Sequence, residues 1–286
     1  MPRITVDGLS LNYETMGAGG VPIFFMPGGR SSMELMRPIA ESMASQHRTY
    51  IYDRRNCGKS DVLIAGDISE QEIWADELAA LIRQLGLENA YLSGWSAGCR
   101  VALITAIRHP DVVRGLLLGW VSGGGFAATS LAQNYYGQFI EIAKTGGMQA
   151  VIETPFWSDR IAANPSNRER LLSMDVEEFI ATMDRWSRIF LDGANLPVIG
   201  ATAEQLAGIT CPTIIAAGDD DTHTPEASQN LHALIKGSVL MPPPILRAEY
   251  DAMPSPEARD LARAERCAPM FLEYLEKVEG KVGAGR

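Results

Sequence analysis

At 286 residues the chain is long enough for one large α/β domain or two modest ones, with a core that needs neither disulfide nor structural metal. Hydrophobic residues make up 46% and charged residues 21%, and the formal net charge of −10 argues against nucleic acid or an anionic membrane surface as partner. The four cysteines, Cys57, Cys99, Cys211 and Cys267, are scattered with no CxxC pair, which argues against a metal site or disulfide framework and for reduced, cytoplasmic thiols.

The opening Met1-Pro2-Arg3-Ile4-Thr5 runs at once into a polar turn, so no secretory signal is expected. Residues 4–6 and 9–13 flank Asp7-Gly8 and predict two strands around a tight hairpin turn. A short apolar run over 22–26 stops at Pro27-Gly28-Gly29, the pattern of a buried strand ending in a loop. Residues 49–52 predict another strand, ending at Asp53. Ser69 and Glu72 form a capping-box pair ahead of a helix whose apolar face includes Ile73, Leu78, Leu81, Ile82 and Leu85, and Gly86 ends it. A strand over 90–93 and a helix over 97–108 follow. The apolar run 115–121 is far too short to span a bilayer and reads as a strand, as do 213–217 and 238–241. A helix begins at Pro256, and the tail 280–286 is expected to fray.

Strands alternating with helices imply a mostly parallel sheet with ligands at the carboxyl ends of its strands. Residues 123–209 break that rhythm with several helices, rich in Trp, Tyr, Phe and Met. Strand signals resume at Thr213 and need the first half to pair with, so the expected organisation is a core of 1–122 and 210–286 with a helical cap of 123–209. Tyr135, Tyr136, Phe139, Phe156, Trp157 and Trp186 would line an apolar pocket under the cap or form its own core.

The sharpest chemical signal is Gly94-Trp95-Ser96-Ala97-Gly98, set between a predicted strand and a predicted helix. A serine on so sharp a turn needs small neighbours, and the helix behind it offers amide dipoles to a developing oxyanion. With this elbow, Met26-Pro27-Gly28-Gly29, the loop Asp53-Arg54-Arg55-Asn56-Cys57-Gly58-Lys59-Ser60, and Gly218-Asp219-Asp220-Asp221 with Pro225, the sequence resembles the α/β-hydrolase superfamily. The resemblance implies an α/β-hydrolase fold, a mostly parallel sheet flanked by helices. It implies Ser96 as nucleophile and the N–H groups of Ala97 and Gly29 as oxyanion donors. It also implies Asp221 as triad acid, by its spacing to Pro225, with Asp220 a close and Asp219 a distant alternative. Pro27 stands where that family usually has a histidine, which removes no donor. Arg30 after the oxyanion loop, by the suitability of its planar fork for a carboxylate, and Trp95 in the elbow are candidate substrate-binding residues.

The base is the difficulty. The family order is Ser, acid, His, yet none of the four histidines follows the last strand. His47 and His109 read as structural, and His232 lies on a helix. Tyr250, between the last strand and the final helix, stands where the histidine belongs, although neutral phenol is a poor proton acceptor at neutral pH. His223 is the alternative base, set against by its place on the acid's own loop. The expected function is therefore an enzyme acting on a small ester, lactone or related acyl compound through Ser96 with an atypical base. A ligand-binding pseudo-hydrolase, a non-hydrolytic lyase or cyclase, and a variant whose histidine was replaced at 250 stay open. No cofactor and no metal are indicated, there being no phosphate loop, dinucleotide fingerprint or ligand cluster. A small-molecule substrate is the expected partner, with no nucleic acid and no membrane, and a homodimer is left open.

Overall fold

The computed structural model describes residues 2–283, with side chains to residue 280. Eight strands form one sheet: β1 (Arg3–Val6), β2 (Leu9–Met16), β3 (Pro22–Met26), β4 (Arg48–Tyr52), β5 (Ala90–Trp95), β6 (Val113–Gly119), β7 (Thr213–Ala216) and β8 (Val239–Met241). Their order is β1-β2-β4-β3-β5-β6-β7-β8. The hairpin pair β1/β2 and the pair β2/β4 are antiparallel, and every later pairing is parallel.

Alternation along the strands explains the layers. Ile23 and Phe25 pack with Met36, with Ile39 and Met43 of α1 (Arg37–Met43) and with Phe271 of α12 (Pro256–Gly283) on one face. Phe24 and Met26 pack with Trp74 and Leu78 of α2 (Glu70–Gln84) and Val101 of α3 (Ala97–Arg108) on the other. Strands buried on both faces read as unbroken apolar runs, which is how 22–26 and 90–93 were legible. The capping box of Ser69 and Glu72 is formed in both directions.

Between β6 and β7 the chain leaves the sheet for α4 (Gly124–Ala132), α5 (Gln138–Glu153), α6 (Pro155–Ala163), α7 (Ser166–Leu172), α8 (Val176–Asp192) and α9 (Ala203–Ala207). β6 and β7 nevertheless pair directly, Leu116 opposite Thr213. The inserted helices share a hydrophobic cluster of their own that includes Tyr135, Tyr136, Phe139, Trp157, Phe179 and Trp186, with Phe156 packed against it. Those aromatic residues are thus chiefly the insertion's core. After β7 come α10 (Pro225–Leu234) and α11 (Arg247–Ala252).

Several boundaries shift by a few residues from the sequence reading, two of them with a structural reason. The third long apolar run, read as 115–121, is a strand over Val113–Gly119. Trp120 leaves the ladder at φ 56°, and its N–H bonds the Ala216 carbonyl (3.0 Å), so burial outlasts strand geometry. α12 continues to Gly283, so the tail expected to fray from 280 is helical that far, and 284–286 lie outside the described residues. No helix among the described residues is long and apolar enough to cross a membrane.

Candidate active site

Ser96 sits between the end of β5 and the first residue of α3 with φ 52° and ψ −111°, a strained conformation for a residue with a side chain. The strain is held by its neighbours. A Cβ on Gly94 would overlap the Gly98 carbonyl, and one on Gly98 would overlap the Met26 carbonyl. Only glycines let α3 approach β5 and β3 this closely. The Ser96 N–H donates to the Gly119 carbonyl (3.1 Å), tying the turn to β6. Cys99 completes the support: its thiol, pushed up to about 12 by burial, donates to the carbonyls of Gly94 and Gly119 and is a packing residue.

The Ser96 hydroxyl lies 2.8 Å from His223 Nε2. On the other side of the ring, Nδ1 is 2.8 Å from Asp220 Oδ2 and 3.0 Å from Oδ1. Burial raises the Asp220 carboxyl, but the His223 ring and the N–H groups of His223 and Thr222 outweigh it and hold Asp220 down at about 2. An ionised carboxylate only accepts, so Nδ1 carries the hydrogen and Nε2 presents its lone pair to the serine. The geometry comes from one turn. Asp220 Oδ1 accepts from the N–H groups of Thr222 and His223, both at 2.8 Å, and His223 N–H also donates to the Asp220 carbonyl (3.2 Å). Such an Asx turn folds the residue three positions on back over the carboxylate. A histidine on the Asp220 loop therefore does reach between that carboxylate and Ser96. The signal in the sequence was Asp-x-x-His after the strand β7.

The loop after β3 lies against the serine: a Cβ on Gly28 would stand 3.1 Å from Ser96 Cβ. Gly29 has φ 49°. Arg54 holds this loop from behind, its Nη2 donating to the carbonyls of Pro27 (3.1 Å) and Gly29 (2.6 Å). With those carbonyls turned to Arg54, the loop keeps its shape without substrate. Ala97 opens α3, and first-turn amides have no intrahelical acceptor.

Four expected site residues are placed elsewhere. Asp221 projects into solvent, 84% exposed, with Arg247 4.0 Å away, because the turn commits Asp220 rather than Asp221 to the imidazole. Tyr250, on α11, packs edge-on against Trp120 at 5.1 Å between ring centres, and Trp120 in turn stands 5.8 Å from His223. Among the described residues the Tyr250 side chain makes no hydrogen bond to Ser96 or His223, and its ring is committed to the indole. Arg30 is buried, paired with Glu70 at 2.6 Å and donating to the Tyr135 carbonyl (2.9 Å), which uses its fork internally. Trp95 packs on the sheet face of Ile23 and Phe25, its ring tilted against Trp120 (4.9 Å) under Arg263. Of the remaining histidines, His109 bonds Asp76 and His232 bonds Ser238, both structural contacts. A cavity of about 610 Å³ lies beyond Thr224, lined by Gly123, Phe126, Pro197, Asp221 and Asn230 among others, and reaches neither Ser96 nor His223.

The sequence profile of the alpha/beta hydrolase fold matches residues 21–119, from β3 through β6. The chain is 28% identical over 248 residues to a protein named carbamate hydrolase RutD from Azorhizobium caulinodans, covering 82% of this chain and 85% of that one. It is 25% identical over 244 residues to the serine hydrolase BPHL of Homo sapiens, covering 83% and 76% respectively. Among solved structures, Est816, described as an N-acyl homoserine lactone degrading enzyme, superposes with a TM-score of 0.63 at 21% identity over 95% of this chain and 99% of that one. Matched by that profile across its central strands and similar to these relatives along most of its length, the chain has the α/β-hydrolase fold.

Proposed function

We propose that the chain is a serine hydrolase of small acyl compounds, esters or lactones, in which Ser96 is the nucleophile, His223 the general base and Asp220 the group that orients it. The observation that carries this reading is the unbroken relay from Ser96 Oγ to His223 Nε2 and from Nδ1 to Asp220, each step 2.8 Å. The relatives that share most of the chain's length are hydrolases of carbonyl compounds or serine hydrolases by name, which supports the same class.

The steps follow from the geometry. Ser96 Oγ attacks the acyl carbon while its proton passes to His223 Nε2. The imidazolium is stabilised by the Asp220 carboxylate, and the new oxyanion is received by the N–H groups of Ala97 and Gly29. Collapse expels the alcohol oxygen, which takes the proton from Nε2 and leaves an acyl-Ser96 ester. Water then attacks that ester, gives its proton to Nε2, and the acid departs as the proton returns to Ser96.

Incubation with a fluorophosphonate should add one mass increment, on Ser96, and none to Ser96→Ala. His223→Ala should slow labelling by about 10²-fold or more, the size of a general-base contribution. An unlabelled wild-type protein, or equal rates with and without His223, would replace this reading with a scaffold that binds without turnover.

A further inference from the structure

Arg100 lies one turn into α3, four residues after Ser96, and is completely buried. A buried guanidinium is costly unless acceptors and a negative charge receive it. Other buried arginines are so received: Arg30 by Glu70, Arg55 by Glu77 and Arg263 by Asp260. Arg54 has no such acid but spends Nη2 on two loop carbonyls and its face on Trp74. Among the described residues Arg100 forms no ion pair. Its Nε donates to Gln71 Oε1 (2.5 Å) and its Nη1 to the Ser122 hydroxyl, while Nη2 is buried with no partner. Two N–H groups are thus held in a dry place with nothing to receive them.

A chain of side-chain contacts runs from that guanidinium toward the reaction centre. Ser122 follows Trp120, whose ring stands beside His223. Phe190 of α8 covers the guanidinium at 5.2 Å and meets Tyr135 at 5.9 Å. The Tyr135 hydroxyl lies 3.6 Å from where a Cβ on Gly29 would begin.

We propose that Arg100 is the specificity determinant for acyl substrates that carry a second, free carboxylate, which Nη2 receives while Ser96 attacks the acyl carbon. The inference rests on the reading of Ser96 as nucleophile. A helical rise of about 1.5 Å per residue sets the Cα atoms of Ser96 and Arg100 about 6 Å apart along α3, so a few carbons separate the two groups of the substrate. Mono-esters of short dicarboxylic acids have that shape. Phe190 must yield for the carboxylate to enter.

The test compares the mono-4-nitrophenyl ester of glutaric acid with 4-nitrophenyl pentanoate, its neutral counterpart, on one preparation. The wild-type protein should favour the acid ester in kcat/KM by about tenfold or more, the worth of one charge-assisted hydrogen bond, chiefly through KM. Arg100→Gln should abolish the ratio and Arg100→Lys should keep part of it. Because each ratio is internal to one protein, partial loss of folded material does not affect it. Equal kcat/KM for the two esters in wild type, or a preference that survives Arg100→Gln, overturns the proposal. If neither ester is cleaved, the serine-hydrolase reading fails first, and binding decides this one. Glutarate should then raise the melting temperature of wild type and not of Arg100→Gln, and no shift in wild type overturns the proposal as well.

Discussion

Two adjacent aspartates allow a sharp experiment. In Asp220→Asn the side-chain oxygen can still accept from the N–H groups of Thr222 and His223, so the turn should persist. The amide, however, turns a donor toward Nδ1, where the imidazole needs an acceptor. The ring is driven to the tautomer that shows Ser96 an N–H instead of a lone pair, and the imidazolium loses its facing carboxylate. In serine hydrolases that change costs about 10³–10⁴ in kcat, or about 4–5.5 kcal/mol of transition-state stabilisation. Asp221→Asn alters a side chain that is 84% exposed and only 4.0 Å from a surface arginine, so kcat should stay within about twofold. Steady-state kcat and KM with 4-nitrophenyl butyrate, alongside circular-dichroism melts to show both variants folded, would measure this. A larger loss from Asp221→Asn than from Asp220→Asn would refute the assignment of the acid and return it to the residue that family spacing selects.

Three further outcomes are expected. Asp220 has its carboxyl lowered from an ordinary 3.8 to about 2 in the folded chain, so its contribution to stability is complete above the unfolded value and is lost as pH falls through about 2; the melting-temperature gap between wild type and Asp220→Asn should therefore close between about pH 4 and 2, and a gap that widens there would contradict the linkage. Tyr250→Phe should leave kcat within about twofold and Tyr250→His should give no gain, because ring 250 packs on Trp120 and the Ser96 hydroxyl is already engaged by His223; a tenfold change in either would show that α11 reaches the serine after all. Glu70→Ala would strand the buried Arg30 guanidinium and remove the acceptor of Asn56 Nδ2 and the Tyr136 hydroxyl, at about 3–5 kcal/mol in urea unfolding, and a loss under 1 kcal/mol would mean that water replaces the carboxylate.

What could be read from the residues alone was whatever a short segment decides for itself. The hairpin at Asp7-Gly8, the capping box at Ser69, the buried strands and the elbow at Ser96 each depend on neighbours within a few positions, through turn chemistry, capping or side-chain period. The loop at Gly28-Gly29 was read the same way, by its glycines after an apolar run. The partner of the Ser96 hydroxyl was not, because its identity depends on which side chain a fold brings to one point. Tyr250 has the right place in chain order and packs instead on Trp120, an indole that leaves the end of β6 at a positive φ. Asp221 has the right spacing to Pro225, yet an Asx turn hands the imidazole to its neighbour. Arg30, a candidate for a substrate carboxylate in the sequence, is claimed by Glu70, forty residues away. A cation finds its partner, and a histidine its acid, through space rather than along the chain. Periodicity and motif are short-range properties, whereas electrostatic pairing is settled only when distant segments pack.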